Sequence, residues 1–133
     1  MTAFFDTNLL VYAQSSGEKA EIARELLAAG GQLSVQVLNE FASVLSRKQG
    51  RSWGEIDEAI EDVLAAVNEP IPLTLEIHRE ARGIAASSRF AFYDALIIAA
   101  ALSARCSVLY SEDLQRGRRF GDLTIINPFA IAR

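Results

Sequence analysis

The apolar runs of this chain are short and nearly unbroken, and stretches of helical periodicity separate them. Ala3-Phe4-Phe5, Leu33-Ser34-Val35, Val108-Leu109-Tyr110 and Leu123-Thr124-Ile125-Ile126 are three or four residues each. A strand with one face in water alternates apolar and polar residues; a run that does not alternate is covered on both faces. Strands of that kind, alternating with helices, predict an α/β domain built on a parallel sheet.

The helical stretches carry their own punctuation. Leu9-Leu10-Val11-Tyr12 follows the first strand at once, so the chain turns straight into a helix there. Ser15 and Glu18 have the spacing of a capping box, and Ala20, Ala23, Leu26 and Leu27 follow at 3–4 spacing until Gly30-Gly31. Val37 to about Gln49 is helical, with Leu38, Phe41, Ala42 and Leu45 on one stripe and Gly50 as the stop. Ser52 and Glu55 form a second capping box, opening an acidic helix that runs to about Val67. Pro70-Ile71-Pro72-Leu73 breaks it and adds a short edge strand at Ile71 to Leu73. Thr74 caps the next helix, through Ile77, Ala81, Ile84 and Ala85, and Tyr93 to Arg105 is the most apolar helix of all. Pro128 closes the ordered part. No repeat, low-complexity stretch or linker interrupts the pattern, which predicts a single domain over 1–133.

Composition narrows the setting. No apolar run approaches the roughly 20 residues that span a bilayer, so no membrane is expected. The N-terminus meets Asp6 without a basic region before it, which argues against a signal peptide. The lone Cys106 excludes an internal disulfide and a thiolate zinc site, and a buried packing role in a reducing cytoplasm is expected. The formal charge of −4 argues at first against a nucleic-acid partner. Setting four of the 17 acids aside in one pocket leaves 13 against 13 basic residues elsewhere. Three basic clusters, Arg47-Lys48-Arg51, Arg79-Arg82-Arg89 and Arg116-Arg118-Arg119, then offer either phosphate contacts or ordinary solvated faces.

Four acids stand at strand ends or on apolar helix faces. Ligands of open parallel sheets bind at the carboxyl ends of the strands. Asp6 ends the first strand and Asp113 lies three residues past Tyr110, with Ser111 between them. Asp6 also suits the N-cap of the helix that begins after it. Asp94 stands one turn before Ile97 and Ile98, on the most apolar stripe, where an N-cap role is again available. Glu40 lies mid-helix on the face of Val37 and Val44 and has no such alternative. Four carboxylates with no histidine suit Mg²⁺ or Mn²⁺, an ion that activates water and neutralises charge on a phosphoryl group. Competing chemistries are poorly served. His78 is the one histidine, so a two-histidine ribonuclease is excluded, and no G-x-S-x-G, Walker loop or G-x-G-x-x-G is present.

Asp6-Thr7-Asn8, Val37-Leu38-Asn39-Glu40-Phe41, Tyr93-Asp94-Ala95 and Tyr110-Ser111-Glu112-Asp113-Leu114 together resemble a PIN domain. More narrowly, the chain is similar to the virulence-associated protein C type of toxin from toxin–antitoxin pairs, over its whole length. Asp6, Glu40 and Asp94 match the family's three core acids and Asp113 its more variable fourth; Thr7, Asn8 and Ser111 match supporting polar positions. The resemblance implies a five-stranded parallel sheet flanked by helices, Mg²⁺ or Mn²⁺ as cofactor, and endoribonuclease activity. It also implies a homodimer and a cognate antitoxin lying across the active-site groove. Leu9, Leu10, Tyr12, Phe41 and Trp53 are expected to supply apolar surface for it. Glu112 is either a spectator or a partial substitute for Asp113. Two other readings compete. A catalytically silent PIN-like module binding a protein or RNA has no need of converging acids. A haloacid-dehalogenase-like phosphatase needs a second aspartate where Asn8 stands, and a later lysine, while only Lys19 and Lys48 occur.

Overall fold

In the computed structural model, residues 2–115 and 117–131 are described; Arg116, of the third basic cluster, lies outside them. Four strands form one sheet among the described residues: β1 (Ala3–Phe5), β2 (Val108–Tyr110), β3 (Arg119–Phe120) and β4 (Leu123–Ile126). Their order is β1-β2-β4-β3. β1, β2 and β4 are parallel, in a register that aligns Phe4 with Leu109 and Leu109 with Ile125. Both faces of β1 and β2 are covered, since Phe4, Phe5, Val108 and Leu109 are buried, while β4 buries Leu123 and Ile125 on one face and leaves Thr124 and Ile126 partly exposed. The unbroken apolar runs of β1 and β2 are explained by that double burial.

The sheet departs from five parallel strands in two ways. β3 is antiparallel to β4, joined through a two-residue hairpin in which Gly121 has φ 61°. The strand expected at Leu33 to Val35 is reduced to two isolated parallel bridges, Phe4 with Gln32 and Ser34 with Ile71. Ser34 explains the shortening. Its hydroxyl accepts from the Val37 amide and caps a helix that has already begun at Val35. The expected edge strand at Ile71 to Leu73 is likewise only the Ile71 bridge. Gly31 is demanded by this close approach, because a Cβ there would lie 2.7 Å from the Phe5 ring and 2.8 Å from the Ala3 carbonyl.

The helices are α1 (Thr7–Ala13), α2 (Glu18–Ala28), α3 (Val35–Arg47), α4 (Trp53–Ala66), α5 (Leu75–Ser88), α6 (Phe92–Ser103) and α7 (Pro128–Ile131). The Ser52–Glu55 capping box and the Thr74 cap both form. The Ser15–Glu18 box does not: Ser15 bonds back to the Tyr12 carbonyl to close α1, and α2 starts from Gly17 without a side-chain cap. Pro128 opens a short helix and does not end the ordered chain. α6 is buried on nearly every side from Ala95 to Ala101, and it forms the centre of the core. No single helix among the described residues is long and apolar enough to cross a membrane.

Candidate functional site

Asp6 is placed by the sheet itself. Its amide donates to the Tyr110 carbonyl at 3.0 Å, continuing the β1–β2 ladder one rung past the strand. The carboxylate, 5% exposed, accepts from the Thr7 amide at 2.7 Å on one oxygen and from the Ser111 hydroxyl at 2.6 Å on the other. Asp6 is therefore the N-cap of α1 and also one end of a buried polar pair. Ser111 has no exposed surface and accepts from the Leu114 amide, so its hydroxyl proton is directed at Asp6.

Thr7 carries the arrangement to α3. Its hydroxyl donates to Glu40 at 3.0 Å, and the other Glu40 oxygen accepts from Gln36 at 3.0 Å. Asn8 does the same for the loop after β2, donating to Asp113 at 3.3 Å and accepting from the Glu112 amide at 3.2 Å. Asp94 is the third residue of α6 and half-buried; the N-cap there is Ala91, so the capping explanation for Asp94 falls away.

Like charge ties the four acids into one system. Burial pushes the Asp6 carboxyl up to about 6, against hydrogen bonds from Ser111 and Thr7, with the charges of Glu40 and Asp94 adding to the rise. Asp94 is raised as well, first by burial and then by Glu40 and Asp113. Among the described residues no three of these side chains, as placed, form a ready metal-ligand group. What joins them is mutual repulsion, not coordination geometry. The donor chemistry still fits Mg²⁺ or Mn²⁺: carboxylate oxygens only, and an ion that keeps several waters and takes few protein ligands directly.

A groove of about 470 Å³ opens beside this cluster and reaches Glu40 and Asp113, with Asp6 and Asp94 outside its lining. Thr7, Asn8, Glu40, Glu112 and Asp113 line one part of it; Val11, Tyr12, Val44, Lys48 and Gln49 line the rest. Of the apolar residues expected here, Leu9, Leu10 and Phe41 have no exposed surface and belong to the core; Trp53 is exposed at the start of α4. Three contacts escaped the sequence. Gln36 was legible in principle, standing one helical turn before Glu40. Tyr12 and Lys19 both bond Glu112, and no local spacing announces a contact between residues so far apart in the chain.

The family model described as PIN domain matches residues 3–120. No curated protein matches the sequence. Three solved structures share the fold at low identity. A toxin–antitoxin complex from Klebsiella pneumoniae is 18% identical with a TM-score of 0.72, covering 96% of this chain and 98% of that one. VapBC2 from Rickettsia felis, bound to a DNA fragment from its promoter, is 20% identical with a TM-score of 0.70, covering 96% and 98%. VapC20 of Mycobacterium tuberculosis, a sarcin–ricin loop cleaving toxin, is 20% identical with a TM-score of 0.69, covering 84% and 90%.

Proposed function

Since the chain belongs to the PIN domain family, we propose that it is a divalent-cation-dependent endoribonuclease and the toxin of a toxin–antitoxin pair. The observation that carries this reading is Asp6. A carboxylate buried at the end of a parallel strand, raised to about 6 and near two further acids, costs more than its N-cap role requires, since an uncharged Asn or Ser would cap α1 as well. Asp6, Glu40, Asp94 and Asp113 would hold Mg²⁺ or Mn²⁺. When bound, such an ion supplies an activated water and neutralises charge building on the phosphoryl group.

The chain's own residues do the rest. Ser111 and the Thr7 amide orient Asp6, the Thr7 hydroxyl and Gln36 orient Glu40, and Asn8 orients Asp113. Lys48 lines the same groove and has no carboxylate partner among the described residues, which suits an RNA phosphate. The antitoxin, the homodimer, a cytoplasmic location and a single domain over 1–133 belong to this proposal. One similar fold comes from a toxin–antitoxin complex and another from VapBC2 bound to promoter DNA. A silent binding module would leave the strain at Asp6 without a use.

The test is cleavage of a mixed RNA pool by the purified chain with Mg²⁺ or Mn²⁺, with and without chelator. Cleavage that stops on chelation is expected. An intact pool under every metal, or cleavage indifferent to chelator, overturns the reading.

A further inference from the structure

Glu112 lines the same groove as Glu40 and Asp113, but both of its carboxylate oxygens are already engaged. One accepts from the Tyr12 hydroxyl at 2.6 Å, and the other accepts from Lys19 at 2.5 Å in the only ion pair among the described residues. Lys19 is itself held over two rings, 5.1 Å from the centre of Tyr12 and 5.6 Å from that of Phe129. The Glu112 charge is thus matched locally.

The backbone of the same residue is held separately. The Glu112 amide donates to Asn8, and Asn8 donates in turn to Asp113. Asn8 and Tyr12 stand one turn apart on α1, so one helix face grips the loop after β2 at two points. An exposed ion pair by itself holds little. Here it closes a network of a phenol, an ammonium and an amide that leaves the loop one docked position.

We infer that Glu112 is not a fifth cation-holding acid but a positioning residue, a latch that fastens the loop after β2 to α1 and α2 and keeps Asp113 at the groove mouth. The inference rests on the active-site reading above for its functional consequence, and on the hydrogen bonds alone for the latch itself.

The test compares Glu112→Gln, Glu112→Ala and Lys19→Met in the full chain, after thermal melts confirm that each is folded. Three quantities are read: Mn²⁺ affinity from the paramagnetic resonance of the free ion, RNA cleavage, and amide hydrogen exchange at residues 112 to 114. Glu112→Ala should exchange faster at those amides and lose about tenfold in Mn²⁺ affinity and cleavage, the lower range for outer-shell partners. Glu112→Gln, whose carbonyl oxygen still accepts from Tyr12 but whose amide nitrogen cannot accept from Lys19, and Lys19→Met, which keeps the Tyr12 bond, should both fall between Glu112→Ala and wild type. Loss of Mn²⁺ affinity in Glu112→Gln as large as in Glu112→Ala, with exchange unchanged, makes the side chain a ligand and overturns the proposal. Unchanged exchange in Glu112→Ala overturns it too. Should wild type bind no Mn²⁺, the active-site reading fails, and exchange alone still decides the latch.

Discussion

Two grooves lie at opposite ends of the sheet, and the larger one is not the candidate site. The groove beside the starts of β2 and β4 holds about 580 Å³ and is lined by Arg105, Cys106, Phe120 and Asp122, among others. The groove at the strands' carboxyl ends holds about 470 Å³. Burial raises a titratable group in both regions: Asp6 to about 6 and Cys106 to about 11. The same physical cause has opposite consequences. Cys106 moves further from neutral pH and stays an uncharged thiol, so its burial is cheap. Asp6 moves towards neutral pH but remains below it, so a charge is still forced into the interior. A functional end is recognised by the charge it must carry, not by the volume of its groove.

The largest expected effect separates the two ends by activity. Asp94→Asn removes one carboxylate from the coupled set while leaving α6 and its apolar contacts intact. Cation-based charge stabilisation is worth several kcal/mol, so cleavage should fall at least about a hundredfold. Asp122→Asn, in the other groove, should leave cleavage unchanged. A folded Asp94→Asn protein with wild-type turnover would remove Asp94 from the mechanism, and an equal loss in both variants would erase the distinction between the ends.

A smaller effect separates them by stability. An acid whose folded pKa exceeds its unfolded value destabilises the fold progressively as pH climbs from the unfolded value through the folded one. For Asp6 that window runs from 3.8 to about 6, and the full cost above it is about 3 kcal/mol. Without metal, Asp6→Asn should therefore melt higher than wild type at pH 7.5 and lose the downward slope between pH 4 and 6. The gain should fall short of the full amount, since the amide keeps the Thr7 contact but cannot accept the Ser111 proton on its nitrogen. Millimolar Mn²⁺ should stabilise wild type by mass action and the variant far less. Equal metal responses would mean that Asp6 takes no part in a shared site.

Much of this was legible in the residues. The runs at Ala3–Phe5, Val108–Tyr110 and Leu123–Ile126 became the three parallel strands, with adjacent residues buried in β1 and β2 and alternate ones in β4. Glu40 stood out because a mid-helix acid on an apolar face has no capping excuse. The failures share a cause, which is competition from a neighbouring element. Leu33 to Val35 reads as a strand until Ser34 is seen to start a helix. Ser15 reads as a cap for α2 until α1 claims it. β3 is two residues long and exists only because Gly121-Asp122 turns it back on β4, a hairpin signal too short to stand without its partner. The Tyr12–Lys19–Glu112 network joins residues about a hundred positions apart, and only the folded chain brings them together.

The smallest effect is expected at Cys106, and it tests the other half of the comparison. The thiol is 3% exposed although its residue lines the larger groove. Only the thiolate reacts with alkylating reagents, and with the pKa pushed up to about 11 the thiolate fraction at pH 8 is on the order of a thousandth. Labelling of the native protein at pH 8 should thus be at least about a hundredfold slower than in denaturant. The linkage sign is the same as for Asp6, but the window is not. A raised thiol costs stability only as pH climbs from its ordinary value of 9.0 through about 11. Between pH 4 and 8 the stability difference between wild type and Cys106→Ala should stay flat, a constant offset from lost packing, while the difference from Asp6→Asn changes across pH 4 to 6. Native labelling as fast as in denaturant, or a Cys106→Ala offset that varies with pH in that range, would show that the larger groove also holds a charge near neutral pH, and the contrast between the two ends would collapse.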